Sequence, residues 1–73
     1  MTISCNRQEF DKALKEFLDA LPTASQESAE NGFKCLSIMY LNLEGTNADL
    51  VMSSQKLDWA GRKMEEQYFL TLD

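Results

Sequence analysis

Phe33-Lys34-Cys35-Leu36-Ser37-Ile38-Met39-Tyr40-Leu41-Asn42-Leu43 is the stretch on which the fold turns. At roughly 100° per residue, Leu36, Ile38, Met39, Tyr40, Leu41 and Leu43 point in almost every direction, so a helix here would have to be buried all round. A chain of 73 residues hardly has the interior for that, because it buries only about 60% of its unfolded surface. Read as a strand, the same residues sort cleanly. Period two puts Met39, Leu41 and Leu43 on one face and Ile38, Tyr40 and Asn42 on the other.

The following segment agrees with a strand. Gly45-Thr46 suits a two-residue type II′ turn. With those two residues as the loop, Leu43 faces Ala48, Leu41 faces Leu50 and Met39 faces Met52, which makes one face wholly apolar. The other face pairs Asn42 with Asp49, Tyr40 with Val51 and Ile38 with Ser53, and is half polar. Such sorting specifies a register. Against it, Leu and Met dominate the segment, and only Ile38, Val51 and the aromatics favour strands. The expectation taken forward is an α+β chain of N-terminal helix, β-hairpin and C-terminal helix (αββα). The alternative is a three-helix all-α bundle, with helices through 25–43 and 48–72 joined by Glu44-Gly45-Thr46-Asn47.

The flanks read more simply. Residues 7–21 carry Phe10, Ala13, Leu14, Phe17, Leu18 and Leu21 in one helical stripe, opposite Arg7, Gln8, Lys12, Lys15, Glu16 and Asp19. Asn6 with Glu9 three residues later is a capping-box signal, and Pro22 supplies the stop. Asp11–Lys15 and Lys12–Glu16 are at i,i+4 pairing distance. Residues at about 23–32 form a polar, flexible connection within a single domain spanning 1–73, with Asn31-Gly32 as its turn dipeptide. Ser53-Ser54 closes the second strand and caps a final helix from about residue 56. That helix has Leu57, Ala60, Gly61, Met64, Tyr68, Thr71 and Leu72 on its buried stripe, and Gly61 there marks close backbone approach to another element.

Function follows from what this architecture leaves uncovered. A two-stranded hairpin is marginal alone, and two helices cover only one of its faces. Thr2-Ile3-Ser4-Cys5 is a candidate third strand. Otherwise the face of Ile38, Tyr40 and Val51 is open to a second molecule, either a protein partner or another copy in a homodimer. Trp59 points away from the last helix's stripe, on the side of Lys63, Glu66 and Leu70. The candidate partner-binding residues are therefore Trp59, Leu70, Tyr40 and Val51.

Composition removes other classes. The chain has twelve acidic and seven basic residues, net charge −5, and no histidine. The acidic balance argues against a nucleic-acid backbone or an anionic membrane as partner. The absence of histidine removes Ser-His-Asp chemistry and histidine metal ligation. No P-loop, G-x-G-x-x-G, C-x-x-C or H-E-x-x-H is present. The expectation is no enzyme, no cofactor and no metal. Cys5 and Cys35 read as thiols of a reducing cytosol, Cys35 as a buried core thiol, because no apolar leader or membrane-length run accompanies them.

Leu36-Ser37-Ile38-Met39-Tyr40-Leu41, Glu44-Gly45, Asp49-Leu50-Val51-Met52-Ser53-Ser54 and Leu57-Asp58-Trp59-Ala60 together resemble small bacteriophage-encoded proteins, over about residues 35–60. In those, an extended segment, an acidic-Gly turn and a second strand lead into a helix. The resemblance implies a phage or prophage accessory protein in the host cytoplasm, and carries over no functional residue. The expected function is a small cytosolic protein-binding module that regulates or inhibits a host or phage protein by surface occlusion. Two alternatives stand beside it: a structural or chaperone-like subunit of a larger assembly, which the three-helix reading favours, and an acidic DNA mimic.

Overall fold

The helix read at the N-terminus forms, and its start is built as the sequence indicates. In the computed structural model, which describes residues 4–68, the Glu9 N–H donates to Asn6 Oδ1 at 2.8 Å and the Asn6 N–H donates to Glu9 Oε1 at 3.2 Å. This reciprocal pair satisfies two backbone donors that helix geometry leaves orphaned. Helix α1 runs from Arg7 to Ala20 behind a two-residue strand β1, Cys5–Asn6. A 3-10 turn, Leu21–Thr23, holds Pro22 and reverses the chain.

The middle of the chain is helical, and the hairpin does not form. Helix α2 spans Gln26–Leu41, strand β2 is only Leu43–Glu44, and helix α3 spans Asn47–Tyr68. The two strands pair in parallel, Cys5 with Leu43 and Asn6 with Glu44, as a short clasp beside three helices. The architecture is thus closer to the three-helix alternative than to αββα.

Three local facts explain the correction. The connection expected at 23–32 is helical from Gln26, because the Ser25 hydroxyl accepts from the Ser28 N–H at 3.1 Å and caps the helix. Ala29, buried at the i−4 position from Phe33, then extends the apolar face that Phe33 and Leu36 continue. Second, α2 is not buried all round: Ile38 and Leu41 stand out into solvent, Leu41 at 80% exposure. Third, Thr46 is a helix cap and not a turn residue. Its N–H donates to Asp49 Oδ2 at 3.1 Å and its Oγ1 accepts from the Asp49 N–H at 3.2 Å. That second capping box starts α3 nine residues before the expected point, so Ser53-Ser54 lie inside the helix.

Phe10, Leu14, Leu36 and Ala60 form the buried centre, one or more from each helix, with Phe17, Phe33, Met39, Tyr40 and Leu57 among the side chains packed around it. Two glycines permit the helices to close. A Cβ on Gly32 would lie 2.9 Å from Phe17 Cδ1, and one on Gly61 would lie 3.2 Å from Phe33 Cζ. Phe17 of α1 therefore seats on α2, and Phe33 of α2 seats on α3, with the two rings 6.3 Å apart and tilted by 54°. Close approach at Gly61 was legible in the sequence. Asn31-Gly32, read as a turn, is mid-helix for the same packing reason.

Ser53 is fully buried on α3, and its hydroxyl has no hydrogen-bond partner among the described residues.

Candidate functional site

The seam between α1 and α3 divides into a charged half and an apolar half. In the charged half Arg7 Nη1 donates to Asp49 Oδ1 at 3.0 Å, and Arg7 Nε lies 3.5 Å from Asp11 Oδ2. Lys56 Nζ donates to Asp11 Oδ1 at 3.0 Å. Asp11 thus turns towards Arg7 and α3 and not to Lys15. The Thr46 N–H, with Arg7 beside it, holds the Asp49 carboxyl below the usual aspartate range, while the hydrogen bond to Asp49 pushes the Arg7 guanidinium up. Asp49 therefore caps α3 and ties it to the start of α1 with one side chain.

A carboxylate whose pKa falls on folding contributes stability above its unfolded value and loses it as pH falls through the folded value. The urea midpoint should accordingly drop as pH is lowered below the ordinary aspartate value of 3.8. Asp49→Asn should make that drop shallower. An equally steep acid profile in the variant would remove Asp49 from the account.

The apolar half holds Trp59. Leu18, Leu21 and Pro22 from the α1 end and Trp59, Lys63, Glu66 and Gln67 from α3 line an open groove of about 430 Å³. Trp59 is 50% exposed, with the Lys63 ammonium 5.3 Å from its ring centroid and Glu66 3.7 Å from that ammonium. The groove wall is fixed from behind: Gln67 Nε2 donates to the Leu21 carbonyl at 2.8 Å, and the Tyr68 hydroxyl donates to the Ala24 carbonyl at 2.5 Å.

The three candidate contact residues that the structure describes, Tyr40, Val51 and Trp59, do not assemble as one sheet face. Tyr40 is half-buried on α2, its ring 6.3 Å from that of Phe10, so it belongs to the packing around the core and not to an open sheet. Val51 and Trp59 are both exposed on α3, two turns apart and about 80° apart around its axis. Leu70 lies outside the described residues. Met52, at 40% exposure, is the residue the sequence reading missed. It precedes Trp59 by seven positions and shares its side of α3, a spacing visible only once the helix is carried back to the Thr46 cap.

The thiols exchange roles relative to expectation. Cys5 is buried, its Sγ donating to the Met39 carbonyl at 3.2 Å, and burial, then Glu9 and Glu44, push its pKa up. Cys35, expected in the core, is exposed, because it falls to the side of the Leu36 stripe on α2. Both are free thiols. Among the described residues no group of three or more Cys, Asp or Glu is arranged to hold a metal, and no helix is long and apolar enough to cross a membrane. Comparison with known proteins finds no matching family model, no matching curated protein and no matching solved structure.

Proposed function

We propose that this chain is a small protein-binding module that regulates or inhibits another protein by covering part of its surface. The observation that carries this reading is Trp59, half-exposed in an apolar groove whose walls are pinned by hydrogen bonds to the chain reversal. A rigid aromatic in a pre-formed groove meets a partner at low entropic cost, and tryptophan is enriched among residues that dominate binding energy. The phage accessory role remains part of the proposal as context only. The resemblance behind it reads 36–41 and 49–54 as strands, and both segments are helical here.

Trp59→Ala is expected to weaken partner binding by at least about 1 kcal/mol with the melting temperature unchanged, read by calorimetric titration and a thermal melt of the same sample. A lowered melting temperature with intact binding would reassign Trp59 to holding the fold.

The three-helix architecture also favours a second reading, a structural or chaperone-like subunit of a larger assembly. The two readings part over independent folding. A subunit of that kind folds only with its partner, whereas the module melts cooperatively alone. For the DNA-mimic reading, Asp11, Asp49, Asp58 and Glu66 each face a cation and are not free to stand in for phosphates.

A further inference from the structure

Strand β1 is held at one end of the bundle by few contacts. Beside its pairing with Leu43–Glu44, the Cys5 N–H donates to the Asn42 carbonyl and Cys5 Sγ donates to the Met39 carbonyl, each at 3.2 Å. Cys5 is buried, whereas Ser4 and Asn6 on either side of it are exposed. A two-residue strand is marginal by itself, and its departure would uncover little apolar surface. Helix α1 does not depend on the pairing, because Asn6 and Glu9 cap it within their own segment. The strand can therefore leave Leu43–Glu44 by a hinge at Asn6 with Phe10, Leu14, Leu36 and Ala60 still packed.

Charge decides what keeps it docked. Asp11 of α1, Glu44 of β2 and Asp49 of α3 line one open hollow of about 470 Å³ beside the strand. Arg7 is the only cation that lines it among the described residues. Lys56 reaches Asp11 from α3 without lining the hollow, and Glu9 is spent on the Asn6 cap. Carboxylates brought together from three elements repel one another unless a cation stands between them. Arg7 does so, with Nη1 on Asp49 and Nε towards Asp11, and it directly follows the hinge residue.

We propose that Cys5–Asn6 is an ionic latch. It docks on and leaves Leu43–Glu44 as a local unit while the three helices stay packed, and Arg7 among Asp11, Glu44 and Asp49 holds it shut. Opening frees the backbone edge of Leu43–Glu44 and the Cys5 thiol. The latch is separate from the Trp59 groove and does not rest on the reading given to it.

The test uses the whole chain with the exposed Cys35 changed to Ser, so that Cys5 is the one thiol left. Its reaction with an aromatic disulfide is followed by absorbance from zero urea through the unfolding transition. Each rate is divided by that of the same variant fully unfolded, which removes differences in intrinsic thiol reactivity. Below the transition the rate should rise only weakly with urea, the mark of an opening that exposes little surface, and steeply within it. Arg7→Gln should speed labelling below the transition at least about fivefold. Lys56→Gln removes an ion pair of similar exposure on the same seam and should leave labelling within about twofold of the parent. Amide exchange at Leu36 and Ala60 should stay protected in Arg7→Gln. Cys5 labelling that follows global unfolding at every urea concentration, or equal acceleration by Arg7→Gln and Lys56→Gln, would overturn the proposal. Loss of Leu36 and Ala60 protection in Arg7→Gln would overturn it as well.

Discussion

Phe10→Ala is expected to cause the largest loss of stability of the substitutions considered, a marked fall in the urea midpoint. Phe10 is completely buried, lies next to the Tyr40 ring, and joins the α1 face to Leu36 of α2 and Ala60 of α3. Truncating a buried phenylalanine costs about 3–5 kcal/mol, part of it for the cavity left behind. A domain of 73 residues has about 4–11 kcal/mol in total, at ~0.05–0.15 kcal/mol per residue. The loss is therefore between about a quarter and all of the stability. Urea titration followed by far-UV circular dichroism reads it directly. A midpoint close to that of the unsubstituted chain would mean that Phe10 is not at the centre of the core.

Ser53→Ala is expected to act in the opposite direction. Its hydroxyl is buried on α3 with no hydrogen-bond partner among the described residues, and an unsatisfied buried group costs about 1–3 kcal/mol. Alanine removes that cost and adds a few tenths of a kcal/mol of helix propensity. The packing lost with one oxygen offsets part of the gain. A net stabilisation of about 1 kcal/mol raises the melting temperature by roughly 4–8 °C in a domain of this size. The substitution also tests the fold. In the hairpin, Ser53 sits on the half-polar face opposite Ile38, and the change would be nearly neutral. A fall in melting temperature would show that the hydroxyl has a partner.

The sequence made α1 legible because every local signal there agrees: the Asn6–Glu9 box, an unbroken apolar stripe and Pro22 at its end. The 33–43 stretch was misread because its helical face begins earlier, at Ala29, inside a run of Ser, Gln, Glu and Asn that looks like a loop. A window starting at Phe33 sees Ile38 and Leu41, which the helix leaves exposed, and not Ala29, which it buries. Thr46-x-x-Asp49 was a capping box in plain view. It was masked by Gly45, which made the same residues look like a hairpin turn. Of the site, Trp59 could be found by its position on the helical wheel. The groove around it could not, because Leu18, Leu21 and Pro22 reach it only through the packing of α1 against α3. Tyr40 and Val51 were grouped by a sheet that does not exist, and the helices separate them.

Whether Trp59 anchors a protein partner is read by capture from a bacterial lysate, using the tagged chain and its Trp59→Ala variant in parallel at matched folded concentration. One protein should be retained by the chain in fixed proportion, and at least about fivefold less of it by the variant. Equal retention by the two, or a stable homodimer that retains nothing, would contradict that anchoring role.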